Sequence, residues 1–160
     1  MKQGSRRAGK WIALGLLLIW AVGIGVFGMM ERNIGPGRKL LKAAELGDRA
    51  QVEQLLSEGA LTNMRNKSGY TALWLAASNG DVPILDLLLK HRADPNQRSA
   101  DGTTPLMEAS RMGRLEAVKT LLAHSGHVNA EGNNGETALA FAIQEKHEDV
   151  ATALRAAGAK

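Results

Sequence analysis

The chain has 160 residues, 44% hydrophobic but only 4% aromatic, which allows one ordinary domain or a smaller one with an appendage, its core built from Leu and Ala in thin, closely stacked helices. Its 20 Lys and Arg stand against 16 Asp and Glu, a net charge of +4. Cysteine is absent, which excludes disulfides, thiol catalysis, cysteine-ligated zinc and lipidation at an N-terminal Cys.

Lys2, Arg6, Arg7 and Lys10 make a basic tail over residues 1–10, followed at 11–30 by WIALGLLLIWAVGIGVFGMM, a run without a charged side chain. At about 1.5 Å per helical residue the run spans roughly 30 Å, the hydrocarbon thickness of a bilayer, and reads as a transmembrane signal-anchor. AVG at 21–23 and VFG at 26–28 keep a cleaved signal peptide as the alternative, although the run outlasts the shorter core of a leader. Four Lys/Arg precede the run, and Arg32, Arg38 and Lys39 follow it within ten residues. That excess keeps the tail inside and exports the rest. The expected place is a single pass through the inner plasma membrane with a periplasmic C-terminal domain, or the soluble periplasm if the leader is cleaved. Ala21 and Gly25 have small-xxx-small spacing, so a membrane scaffold that self-associates weakly is a further expectation.

The tail carries the whole net charge, because from Glu31 onward 16 Lys/Arg meet 16 acids. No electrostatic footprint remains for nucleic acid. Residues 31–37, ERNIGPG, read as a linker in which Gly-Pro-Gly ends any helix leaving the apolar run. A phosphate loop is not expected there, since the Gly-Lys-Ser/Thr step four residues after a first Gly is missing.

Residues 38–160 repeat with an offset of 33. Gly69, Gly102 and Gly135 align, as do Thr71, Thr104 and Thr137, and Asn63, Asn96 and Asn129. Four-fold columns run through Leu40, Leu73, Leu106 and Leu139, through Ala43, Ala76, Ala109 and Ala142, and through Leu55, Leu88, Leu121 and Leu154. The units are a cap at 38–66 and repeats at 67–99, 100–132 and 133–160. Within a unit, Thr104 suits a helix cap, Pro105 a first helical position, and Leu106 and Ala109 one shared face. Gly113 breaks the chain before a second helix whose inner stripe is Val118, Leu121 and Leu122.

The stretches GYTALWLAASNGD, GTTPLMEASRMGR and GETALAFAIQEKH, with LLLKHRADPN and TLLAHSGHVN behind the first two, resemble the ankyrin repeat, a 33-residue unit of helix, turn and helix. The cap, LLKAAELGDRAQVEQLLSEGALTN, keeps the helices but lacks the Gly-x-Thr start. The resemblance is to bacterial-type, exported or membrane-anchored ankyrin proteins. It implies an all-α solenoid whose repeats are joined by β-hairpin loops, and a stack that needs several units to bury its faces. The chain departs from the family pattern where Trp74, Met107 and Ala140 replace its His, so that residue's hydrogen bond is expected to be lost. Lys146 for the central Gly and Arg155 for an inner Leu suggest a polar face closing the stack.

An enzyme is not expected. His91 and His124 recur in successive repeats too far apart to share a metal easily, and His124 and His127 have a spacing that could chelate but read as loop histidines, solvated or packed, as does His147; none has a nucleophile beside it. Glu148 and Asp149 read as a solvated face. No metal or cofactor is expected.

The resemblance implies binding of an unidentified protein, itself exported or membrane-associated, by hairpin tips and the exposed face of the first helices. It points to accessory or immunity proteins of exported enzymes or toxins. By register that face carries Arg65, Lys67, Ser68, Tyr70, Ser78 and Asn79 in the first set. Arg98, Asp101, Thr103, Arg111 and Met112 make the second, and Glu131, Asn133, Asn134, Glu136, Gln144 and Glu145 the third. The first two sets are basic and the last acidic, a division suited to an oppositely polarised partner. Arg98 and Arg111 are expected to serve recognition and not the fold, with Glu116 and Lys119 on a second helix away from that face.

Overall fold

A computed structural model describes residues 35–160. The basic tail, the apolar run and residues 31–34 of the expected linker lie outside the described residues. Among the described residues there are eight helices and no strand: α1 (residues 35–46), α2 (Arg49–Ser57), α3 (Ala72–Asn79), α4 (Val82–Lys90), α5 (Pro105–Arg111), α6 (Leu115–Ala123), α7 (Ala138–Gln144) and α8 (Glu148–Ala156). None is long and apolar enough to cross a membrane. Because α1 is described from residue 35, it takes in Gly35, Pro36 and Gly37, which the sequence assigns to the linker. Gly37 is buried beneath Met64, where a Cβ would lie 2.8 Å from the sulfur. Its place is therefore in the packed unit.

Each later first helix begins the same way. Thr71, Thr104 and Thr137 have extended backbones, and their hydroxyls accept from the N–H of Trp74, Met107 and Ala140 at 3.1, 3.3 and 3.2 Å. This caps a donor that has no partner inside the helix. Pro105 opens α5, where a missing N–H removes no bond. Second helices begin differently: Asp48 and Asp81 cap α2 and α4, whereas Arg114 and His147 do not cap α6 and α8. The latter two reach back instead. Arg114 Nε donates to the Ser78 carbonyl at 3.2 Å, and a ring nitrogen of His147 meets the Arg111 carbonyl at 3.1 Å.

The helices stack in two layers. First helices α3, α5 and α7 follow one another, second helices α2, α4, α6 and α8 do likewise, and each pair closes on itself. The α1 end joins the first layer through the Asn79 amide, which donates to the Ala44 and Glu45 carbonyls. Ala43, Ala76, Ala109 and Ala142 are all fully buried at 0% exposure, so the helices meet where only a methyl fits. Leu88, Leu121 and Leu154 fill the space between the layers.

The turn inside each repeat is left-handed. Gly80 and Gly113 have φ of 77° and 67°, and a Cβ on either would fall 2.9 Å from Arg114 Cδ or 2.6 Å from the His147 ring. Both the backbone and the next repeat therefore demand glycine. Lys146 adopts the same left-handed backbone at φ 61° and is exposed.

The Asn column is the thread between repeats. Asn63, Asn96 and Asn129 accept through Oδ1 from the backbone N–H of Asp94, His127 and Lys160 at 2.8, 2.7 and 3.0 Å. Asn96 and Asn129 also donate to the Ser125 and Gly158 carbonyls at 3.0 and 3.1 Å. Each Asn thus satisfies a loop of the following unit.

Leu121→Ala is expected to lower unfolding free energy by about 2–5 kcal/mol, the cost of a cavity in a site that cannot collapse. Asn96→Ala is expected to cost about 1–2 kcal/mol by orphaning the His127 N–H. Denaturant melts of the purified chain check both; a loss under about 0.5 kcal/mol for Leu121→Ala would show that the register is wrong.

Candidate functional site

Three tips, at 66–70, 99–103 and 132–136, stand at the start of the repeats. Each is closed by the same pair of bonds: Asn66, Ser99 and Gly132 donate to the carbonyls of Tyr70, Thr103 and Glu136, while Gly69, Gly102 and Gly135 turn back on residues 66, 99 and 132. Where β-hairpin loops are expected between repeats, the described residues form this tight turn and no strand.

Neighbouring tips are tied together. Ala100 N donates to the Ser68 carbonyl at 3.1 Å, and Asn133 Nδ2 donates to the Ala100 carbonyl at 3.1 Å. In the middle tip Ser99 and Thr103 both donate to Asp101. The Ser99 hydroxyl first, then Thr103, holds the Asp101 carboxyl below its usual range. That contribution exists above the ordinary carboxylate pKa and is lost as pH falls through the depressed one. In the last tip Asn134 does the same for the exposed Glu136, its side-chain amide lowering the carboxyl's pKa.

Tyr70 lies flat on Trp74, ring centroids 3.8 Å apart and planes 7° from parallel. Trp74 Nε1 donates to Thr103 Oγ1 of the next repeat at 3.2 Å, and Met107 sulfur accepts from Thr104 N at 3.4 Å. The hydrogen bond expected to vanish with the family's His is therefore replaced at two of the three positions. At Ala140 a methyl offers no such group.

The main departure from expectation is Arg111. Glu108 is buried at 2% exposure; Arg111 grips it with Nε to Oε2 at 3.0 Å and a terminal nitrogen to Oε1 at 2.8 Å, and the Ser78 hydroxyl adds a third bond at 3.0 Å. A buried carboxylate without such partners would be costly. Glu108 in turn keeps the guanidinium protonated, raising its pKa. Arg111 was expected to be dispensable to the fold; it neutralises a carboxylate inside it. Arg98 is also committed, donating to the Gly102 carbonyl at 3.1 Å and to Asn133 at 3.3 Å. Asn79, Asp101, Thr103 and Ser78 serve the stack as well. Sequence reasoning missed Glu108, since the bonds that make its burial tolerable come partly from 30 residues upstream.

Other candidates remain turned outward. Among the described residues Arg65, Lys67, Glu131, Gln144 and Glu145 are exposed and make no side-chain hydrogen bond, and Met112 is 39% exposed. A cavity of ≈ 420 Å³ opens between α1 and the first tip, lined by Arg38, Lys42, Arg65 and Lys67 with Glu45, Asn66, Leu41 and Leu75. The sequence places Arg38 and Lys42 in the cap, and Arg38 also among the cations after the apolar run; their spacing of four, one helical turn, is the signal that sets them side by side. No cluster of His, Asp and Glu suited to a metal exists among the described residues. His91, His124 and His127 are exposed, and Glu148 and Asp149 sit in the first turn of α8, where acids complement the helix dipole.

A family model described as "Ankyrin repeats (3 copies)" matches residues 40–131 and 93–160. Comparison with curated proteins gives no match.

Arg111→Met is expected to destabilise the domain by about 1–3 kcal/mol, less than for a fully enclosed pair because Arg111 keeps 40% of its side chain in water. Adding Glu108→Met should recover most of the loss. Thermal melts check this; an unchanged midpoint for Arg111→Met would show that Glu108 does not depend on it.

Proposed function

From the premise that the chain belongs to the ankyrin-repeat family and is a protein-interaction module, we propose that it is a membrane-tethered module that holds a partner protein outside the cytoplasm. The tips and the outward face of the first helices are its binding surface. The observation that carries this reading is the division of labour on that face. Ser78, Asn79, Arg98 and Arg111 are spent on the stack, while Arg65 and Lys67 at one end and Glu131 and Glu145 at the other make no side-chain hydrogen bond or ion pair among the described residues, although Glu145 lies near enough to Arg111 to help raise its pKa. Unpaired charges of opposite sign at two ends of one face orient a partner and speed its encounter. The fold by itself names no partner, because this architecture carries unrelated surfaces.

The tether is inferred from residues 11–30 and the charge before them. In a bacterium the domain would face the periplasm. Nothing in the arrangement calls for a cofactor, and exported accessory or immunity roles fit a module of this kind.

Two outcomes test the proposal. Protease added to spheroplasts should remove a tag placed after Lys160, and full protection of that tag in intact spheroplasts would contradict the topology. Partner capture by the full chain from the native envelope should fall when Glu131 and Glu145 are both changed to Lys, and should survive the paired swap Glu116→Lys with Lys119→Glu on α6. The reverse pattern would place binding on the outer helical layer.

A further inference from the structure

We propose that the cavity between α1 and the first tip is the docking point for a short acidic segment of the partner, taking two or three carboxylates. The inference rests on the reading of the tip face as the binding surface and adds the chemistry of what it holds.

Among the described residues that line it, four of eight are cations: Arg38, Lys42, Arg65 and Lys67. The one described acid, Glu45, is already engaged by Lys42 at 2.8 Å. Arg38, Arg65 and Lys67 have no ion pair or side-chain hydrogen bond among the described residues, in contrast to Arg98, Arg111 and Arg114, whose guanidinium groups are committed within the stack. An unengaged guanidinium presents a fork that matches a carboxylate. The wall behind the cations is apolar, with Leu41 buried and Leu75 half-buried, and this raises the strength of an ion pair made against it.

The tip that carries two of the cations is held in shape. Asn66 Oδ1 accepts from the N–H of both Ser68 and Tyr70 at 3.0 Å, leaving its amide nitrogen directed to no described partner. Arg65 and Lys67 therefore project from a fixed turn, which lowers the ordering cost of binding. The volume, ≈ 420 Å³, lies within the range of sites that hold a small ligand, roughly 300–1,000 Å³.

The remainder of the face selects a short segment over an extended polyanion. Glu131 closes the repeat at 100–132 and Glu136 and Glu145 lie in the repeat at 133–160, so a nucleic acid or an anionic bilayer running along the face would meet like charge within the same array. A peptide with a few acids at one place and bases further on would not.

The test is fluorescence anisotropy of a labelled hexaglutamate peptide titrated with the full chain in an uncharged detergent. One-to-one binding that weakens with added salt is expected. Arg65→Glu with Lys67→Glu should weaken it roughly tenfold or more, with an unchanged melting midpoint since neither side chain bonds within the fold. Lys119→Glu should leave it within about twofold, as a distant surface charge. Hexalysine should not bind the cavity. Absence of hexaglutamate binding at low salt, or binding indifferent to the double reversal, would overturn the proposal. So would inorganic phosphate or anionic vesicles binding in a manner sensitive to the reversal while hexaglutamate fails to displace them. If hexaglutamate fails while partner capture still depends on Glu131 and Glu145, the cavity proposal falls and the binding face stands. If hexaglutamate behaves as expected but partner capture ignores the Arg65→Glu, Lys67→Glu reversal, the cavity takes acidic peptide without being where the partner docks, and the proposal falls.

Discussion

The hydrogen bonds from one repeat's asparagine to the next repeat's backbone set the terms for everything else in this molecule. A helix pair of 33 residues buries one side against its own partner and leaves two flanks bare, so it cannot stand alone. Asn63, Asn96 and Asn129 join each unit to its successor through the N–H of Asp94, His127 and Lys160. Once that spacing is fixed, the alanine column must stay alanine, and the glycines at 80 and 113 must leave room for Arg114 and His147. The tips are then brought near enough for Ala100 and Asn133 to bond across them.

The same proximity decides which face residues are free to act. A tip residue within reach of its neighbour tends to be used by it, as Asn133 and Thr103 are, and a first-helix residue next to a buried acid is claimed by that acid, as Arg111 is. Away from those contacts charge is left without a side-chain hydrogen bond or ion pair among the described residues, basic around Arg38 and Arg65 and acidic around Glu131.

Much of the fold was legible because its signals are local or periodic. Threonine three residues before the N–H it caps, proline at a first helical position, and leucine and alanine at fixed intervals can all be read along one strand of text. Lys146 departs from the glycine pattern in residue type but keeps the left-handed turn, exposed to solvent. The site was harder to read. The sequence marks Arg98 and Arg111 as recognition residues although Gly102 and Glu108 stand only four and three residues away; what it does not show is that Glu108 is buried, with its third bond from Ser78 of the preceding repeat, and that Arg98 also reaches Asn133 of the following one. For Arg38 and Lys42 the four-residue spacing is present in the sequence, but the cavity they share with Arg65 and Lys67 depends on how the tip folds back beside α1.

The central claim is that the tips and first helices, not the outer helices, meet the partner. A photo-crosslinking amino acid placed singly at Lys67, Gln144 or Lys119 of the full chain, and activated in the native envelope, tests it most directly. Adducts of one size from Lys67 and Gln144, with none from Lys119, are the predicted result. An adduct from Lys119 with none from the other two would contradict it.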